Sequence, residues 1–577
     1  MSNKGNEKNA ACGLPPISAN RLIAMMLVWL FVSGWCGDST QVLATESVQK
    51  QGSASQPAGD PGGQAATGMV KKTSNGDGSQ TAGTMYIQEY RVLGAHQLNA
   101  LEIGEVVYPF LGPGRSKEDV EHAREALEKA YQVKGFQTVS VQIPLQQVKG
   151  GVVVLQVVEG TVGRLRVNGA RYFSPDQIKA QAPALAEGKV VDFNQVTKDI
   201  VALNQLPDRT VTPVLRAGLA PGTVDIDLNV KDTLPVHGSL ELNNRYSPDT
   251  TDLRLNGSVS YNNLWQLGHS AGFSFQLAPE RLEDAEVFSA YYLARFPDVN
   301  WLSLMVQGTK QNSDVSTLSS SDATGRGEVV GARAIINLPP LKDFFHSVSI
   351  GIDFKHFVNG LTLGGATTVT PVTYFPLSAQ YSATWRGKGY ETDLNAGANL
   401  TFRGTGSNLT ELDNSRFKAD GGYIYVRGDL SHTHDLPGNF QIYGKMQGQV
   451  ANEPLLSSEQ IAGGGLSTVR GYLESEELGD NGIFGSVELR SPPLQDWLHN
   501  KVDDWRIYAF ADCGMLDVIE ALPQQQDHFN LASYGVGTRL RILDHLNGSL
   551  DVGVPLIGAT ETKAHDLLLT FRVWADF

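Results

Sequence analysis

The hydrophobic rhythm of the chain changes three times. Apolar residues run unbroken from Leu22 to Val32, about eleven positions, and residues 45–84 then carry almost no large apolar side chains. From Met85 the stretch Tyr86 to Val92 reads as a strand. Val120, Ala123, Leu127, Ala130 and Tyr131 recur at helical spacing behind Ser116 and Asp119, placed as a capping box, and Gly135 ends the helix. Phe136 to Ile143 and Val152 to Val158 read as strands. The order then repeats, with a strand over Val162 to Val167, helices over Ser174 to Gln181 and Phe193 to Asn204, and strands over Val211 to Arg216 and Thr223 to Val230. Two modules of one element order make an internal repeat.

From Leu234 to Phe577 helical periodicity gives way to alternation. Leu253, Leu255, Val259 and Tyr261 face one way, and Asp252, Arg254, Asn256, Ser258 and Ser260 the other. Ala271, Phe273, Phe275 and Leu277 oppose Ser270, Ser274 and Gln276 in the same manner, and the chain ends with Leu567, Leu569, Phe571, Val573, Ala575 and Phe577 on one face. Such strands present lipid-facing and water-facing sides, and closing them satisfies every backbone group in hydrocarbon. At roughly 20 residues per strand and connection, residues 234–577 predict about 16 strands.

Composition narrows the function. Charged residues are 19% of the chain and no apolar run of about 18 residues follows the N-terminal one, which excludes a helical membrane protein. A net charge of -15 opposes sequence-independent nucleic-acid binding, so no nucleic-acid partner is expected. Lys4, Lys8 and Arg21 before the apolar run, and Val42-Leu43-Ala44 after it, predict a signal peptide over residues 1–44. Residues 45–84 predict a flexible linker without the amphipathic periodicity of a plug helix. Cys12 and Cys36 fall in the signal, bulky Trp35 argues against a lipid anchor at Cys36, and Cys513 alone supports neither a disulfide framework nor a zinc site.

The candidate chemistry lies in Gly463 to Tyr472, a glycine-rich turn that carries Val469-Arg470-Gly471-Tyr472. Further on, Arg506, Tyr508, Phe510, Asp512 and Gly514 share one face of a strand and offer Arg470 a carboxylate. Glu488, on the strand Gly485 to Arg490, is a second partner ranked below Asp512. In a barrel, the connection Ser457 to Asn481 is expected to fold into the lumen, with a partly desolvated ion pair worth on the order of 1 kcal/mol.

A V-R-G-Y loop followed by F-x-D-x-G resembles the signature of two-partner secretion transporters, outer-membrane barrels that export haemolysins and filamentous adhesins. Tyr131…Gly135-Phe136, Pro144…Gln146-Gln147 and Val158-Glu159-Gly160 resemble the first POTRA (polypeptide-transport-associated) domain of that family. Leu203-Asn204…Pro207…Arg209…Pro221-Gly222-Thr223 resembles the second, and the final strand with Phe571, Val573 and Phe577 resembles the signal read by the barrel assembly machinery. The resemblance implies two periplasmic α+β POTRA domains (β-α-α-β-β), over 85–160 and 161–233, then an outer-membrane antiparallel β-barrel over 234–577. It further implies a large secreted exoprotein as cargo, adhesin-like or haemolysin-like, bound unfolded by β-augmentation at Phe136 to Ile143 or Val211 to Arg216. The first alternative is an assembly or insertion factor of the same superfamily, and the second is a porin or outer-membrane enzyme. None of Gly188-Lys189, Gly387-Lys388 and Gly444-Lys445 precedes Ser or Thr, so no P-loop supplies ATP energy. Without H-E-x-x-H, G-x-S-x-G or C-x-x-C, the expectation is no enzyme, no cofactor and no metal.

Overall fold

The computed structural model describes residues 84–577 apart from 297–298, 300, 314–324, 364–365 and 496–501. The signal peptide, nearly all of the linker and the plug-helix question therefore lie outside the described residues.

In the first module, Glu89–Leu93 runs parallel to Val152–Val158, and Ser140–Gln142 lies antiparallel on the other side of that central strand. The helix Lys117–Val133 starts on the Ser116/Asp119 capping box and buries Val120, Ala123, Leu127 and Tyr131 against the sheet, facing Val153 and Leu155. A second helix, Ala100–Val107, has its own capping box from Asn99 and Glu102. The alternation expected over Phe136 to Ile143 is mostly turn, with strand only over Ser140–Gln142, because the backbone closes on itself from Gly135 to Val139.

Gln146 explains part of the motif around it. Its side-chain amide donates to Val154 O and accepts from Val154 N, both at 2.8 Å, so it stands in for a strand residue where the short edge strand has ended. Glu159 accepts from His96 N, Gln97 N and Tyr131 Oη at 2.7, 2.9 and 3.1 Å, tying loop, helix and strand together. A side chain on Gly160 would collide with Thr138 O at 2.8 Å. Gln146→Ala leaves both Val154 backbone groups unpaired, and about 1–3 kcal/mol of local stability is expected to go with them. Hydrogen exchange on the full chain should show Val154 losing protection, and unchanged protection would remove this role.

The second module repeats the topology. Thr161–Asn168 runs parallel to Thr223–Asp232, with Arg209–Ala217 antiparallel at the opposite edge, and the helices Pro175–Ala180 and Phe193–Leu203 pack over the sheet. Its contacts with the barrel include polar ones: Asp208 meets His237 Nε2 at 2.7 Å, and Gln266 accepts from Ser174 N at 2.8 Å.

The barrel closes when the last strand, Leu568–Asp576, pairs antiparallel with the first, Val236–Asn243. Seventeen strand segments form the ring, but Ala366–Tyr374 and Leu377–Gly387 both pair with the long strand Phe344–Leu363 and are two halves of one position, broken at Phe375-Pro376. Sixteen strand positions result. Leu242, Val259, Val306, Ile350, Val536 and Val573 are 41–55% exposed on the outer face, as lipid-facing side chains must be. One element departs from the all-strand expectation: Asn408 and Glu411 cap a short helix, Leu409–Ser415, in the connection between the strands Tyr390–Leu400 and Ile424–Asp435. Among the described residues no helix is long and apolar enough to cross a membrane.

The three C-terminal residues singled out above lie at the closure. Phe571 and Val573 follow the outward alternation of Leu568–Asp576, and Phe571 N donates to Asn244 Oδ1 at 2.7 Å. Phe577 exchanges backbone hydrogen bonds with Gly238 at 3.0 Å each way, its ring occupying the space a Gly238 side chain would need.

Candidate lumenal loop site

The connection between the strands Gln441–Ala451 and Asn481–Arg490 turns inward and is buried along most of its length. Its limbs pair as the two-stranded ladder Ile461–Gly463 with Glu477–Gly479, and Gly464, Gly465 and Gly471 take positive φ of 102°, 88° and 90°, conformations that glycine adopts without strain. The tip is thereby set against the wall formed by Asn481–Arg490, Val502–Asp517, His528–Ile542 and Leu546–Pro555.

Arg470 is met from four directions. Its Nε and Nη2 donate to Asp512 Oδ2 and Oδ1 at 2.7 and 2.8 Å, its Nη1 to Glu488 Oε1 at 2.6 Å, and its Nη2 also to Ser486 Oγ at 2.9 Å. Asp512 Oδ2 accepts the Arg470 backbone N–H as well, at 3.1 Å, fixing main chain and side chain together. The guanidinium lies 3.7 Å from the centroid of the Phe510 ring, so Phe510 forms the floor of the site. Glu488 is held by Arg490 at 2.7 Å and Arg539 at 3.3 Å, and Asp551 stands 3.8 Å from Arg470 while accepting from Tyr508 Oη at 2.6 Å. Three arginines and three carboxylates form one network.

The other motif residues have steric reasons. A side chain on Gly514 would meet Phe484 at 2.2 Å and Val469 at 3.2 Å, so this glycine leaves the hollow that Val469 fills. Val469, fully buried, joins Tyr472, Phe484, Leu516 and Leu531 in an apolar cluster. Tyr472 Oη donates to Ile557 O at 2.7 Å and lies 3.0 and 3.2 Å from Ala532 O and N.

One expectation needs correction. The side chains of Arg470, Asp512 and Glu488 are 6%, 1% and 3% exposed, so the pair is buried, not partly desolvated. Removing one member strands charge in a dry site, at a cost of about 3–5 kcal/mol and not the order of 1 kcal/mol expected of a wet lumen. Glu488 also bonds Arg470 directly and is a full partner beside Asp512.

Sequence reasoning missed the other attachments of this loop. At its root, Glu459 accepts from Lys355 Nζ, Tyr374 Oη and Tyr425 Oη at 2.5, 2.7 and 2.8 Å, and Asp480 accepts from Arg416 Nη2, Leu455 N, Gln460 Nε2 and Ile519 N between 2.7 and 3.0 Å. In its returning limb, Glu474 binds Arg245 at 2.6 Å just beyond the first barrel strand, and Glu476 accepts from Glu561 N and Thr562 N at 2.9 and 2.6 Å before the last strand. The loop thus fastens to both sides of the barrel closure. The signal available in the sequence was the acidic run Glu474 to Glu477 directly behind V-R-G-Y.

An α+β module of POTRA topology followed by a sixteen-stranded barrel with an inward arginine loop defines an outer-membrane translocator or assembly factor. Residues 85–160 match the ShlB-type POTRA domain, and residues 370–540 match the haemolysin secretion/activation protein family ShlB/FhaC/HecB. The outer membrane transporter CdiB of Dickeya dadantii is 24% identical over 524 residues, 84% of each chain. The heme/hemopexin transporter protein HuxB of Haemophilus influenzae is 21% identical, covering 67% of this chain and 69% of its own. Among solved structures, CdiB from Escherichia coli superposes with a TM-score of 0.61 at 20% identity, covering 88% of this chain and 93% of its own. BamA from Haemophilus ducreyi gives 0.53 at 15%, covering 85% and 100%. The chain belongs to the two-partner secretion transporters of the Omp85 superfamily, with POTRA architecture in the periplasm and the barrel in the outer membrane.

Proposed function

We propose that the chain is a dedicated exporter. It captures one large secreted exoprotein, unfolded, in the periplasm through two POTRA domains at 85–160 and 161–233, and passes it through the barrel without ATP and without catalysis. The observation that carries this over an assembly role is the Pro144…Gln146 segment, whose amide seals the sheet edge of a module matching the ShlB-type POTRA domain. With that edge sealed and Ser140–Gln142 only three residues long, the nine-residue edge strand Arg209–Ala217 is the better place for client pairing beyond Val211, whose own N–H and C=O the Asn204 amide takes. Its Pro213 removes one donor, as edge strands tolerate.

Deleting residues 85–233 while keeping the N-terminal segment and the barrel tests the reading by comparison of the culture-medium proteome with wild type. Loss of one large protein, with other outer-membrane barrels at normal abundance, is the expected result. A general fall in outer-membrane barrels would establish the assembly role instead, and no change in either would leave a porin.

A further inference from the structure

The second module and the periplasmic turns of the barrel flank a groove with a cavity volume of about 90 Å³ that the loop site does not use. Two arginines line it. Arg209 is buried, its Nε and Nη2 donating to Leu203 O at 3.1 and 2.8 Å and its Nη2 also reaching Gln181 Oε1 at 3.2 Å. Arg295 ends the strand Ala285–Arg295 and donates from Nη1 to Gly268 O at 2.6 Å and Ser270 Oγ at 2.9 Å. Among the described residues neither has a carboxylate in ion-pair contact, although nearly every other buried arginine discussed above does. Burial pushes the Arg209 guanidinium down to about 10, the direction expected of a cation with too little negative charge around it. Each guanidinium carries five N–H donors, so Arg209 Nη1 and Arg295 Nη2 remain for a ligand.

The remaining walls are apolar or neutral: Leu206, Leu267, Phe296 and Leu302, with Gln205 and Asn337. Two forks with spare donors beside aliphatic surface suit a planar oxyanion carried on an apolar chain. Register decides which side the ligand comes from. Arg295 pairs with Ser303, and that face continues through Gln307 and Thr309, while Leu304 and Val306 point to lipid and are 44% and 53% exposed. Arg295 therefore reaches the groove from the lumenal face, while Leu302, two residues before Leu304, walls it on the membrane side.

We propose that this groove is a carboxylate-binding site, in which Arg209 and Arg295 take an acidic side chain of the extended client while flanking apolar client residues lie against Leu206, Leu267 and Phe296. The identity of the occupant rests on the export reading, whereas the carboxylate chemistry does not. Held there, the client is presented to the barrel opening with its register fixed by one charge, and bidentate geometry favours carboxylate over amide.

The test uses the purified full chain in detergent and two blocked tripeptides, leucyl-aspartyl-leucine and leucyl-asparaginyl-leucine, titrated calorimetrically. The aspartyl peptide is expected to bind at least about tenfold more tightly, with Arg295→Gln erasing the difference and Arg295→Lys retaining part of it. Ser303→Glu, which sets a carboxylate opposite Arg295, is expected to block the peptide at an unchanged melting temperature, a control for misfolding in the first variant. Equal binding of the two peptides, or full binding to Ser303→Glu, overturns the proposal. Dihexanoyl phosphatidylglycerol competing more strongly than the aspartyl peptide overturns it in favour of a lipid headgroup. If the peptide discriminates but the medium proteome names no secreted protein, the site stands and the export reading fails.

Discussion

Replacing Arg470 by alanine is expected to abolish export while the barrel remains in the outer membrane at normal abundance. The substitution removes every side-chain donor that the loop gives Asp512 and Glu488, leaving Asp512 with only the backbone N–H of residue 470 above the Phe510 floor, while Glu488 keeps Arg490 and Arg539. At about 3–5 kcal/mol for a broken buried pair, and tenfold per 1.4 kcal/mol, the docked loop loses more than about a hundredfold in population. None of the lipid-facing residues is touched, so assembly should proceed. A combined Arg470→Ala and Asp512→Asn variant, which keeps Glu488 for Arg490 and Arg539, separates charge from shape. It should regain much of the melting temperature lost in the single variant, because no carboxylate is left stranded, yet still fail to export, because the tip is untethered. Secreted protein in the medium and heat stability of the extracted barrel are the two readouts. Normal export by Arg470→Ala at normal abundance would remove the loop from the mechanism.

Those parts of the architecture written in periodic patterns were legible. Alternation such as Leu253 to Tyr261 carries its own face assignment, because one wrong register would turn every lipid-facing residue inward, and the helix over Lys117–Val133 announces itself by a cap and an apolar stripe. Phe136 to Ile143 misled because alternation there reflects a buried turn followed by three strand residues, and no period distinguishes the two. The site divides likewise. Arg470 and Asp512 could be paired from a loop motif and a strand face, but the depth of burial depends on how much of the loop packs beside them, a property of Glu459, Asp480, Glu474 and their far-separated partners. Lys355 and Glu459 are 104 residues apart, and Arg245 and Glu474 are 229 apart. Nothing local marks either pair. The neutral-looking Gly553 was illegible for a different reason, since its importance lies in what its missing side chain admits.

Gly553→Ala should therefore disable export almost as fully as losing Arg470, though it alters no charge. The backbone of the loop tip lies directly on this strand position: a Cβ at residue 553 would fall 2.6 Å from Gly471 N, 2.7 Å from Gly471 Cα and 3.1 Å from Arg470 C. These are main-chain atoms, and Gly471 at φ 90° has no side chain to move aside. Ordinary contact requires about 3.5–4.0 Å, so the tip must retreat by about 1 Å. Hydrogen bonds from Arg470 that now measure 2.6 to 2.9 Å cannot all survive that shift, and the tolerance for misplacement is least where several donors converge on fixed carboxylates. Gly548→Ala, on the same strand, is the control, because a Cβ there meets only Arg572 O at 3.9 Å. Export lost in Gly553→Ala and kept in Gly548→Ala would show that the position of the loop, and not merely its charge, is required. Equal export by the two would mean that the close approach of loop and wall is incidental, and that the Arg470 network tolerates displacement better than its geometry implies.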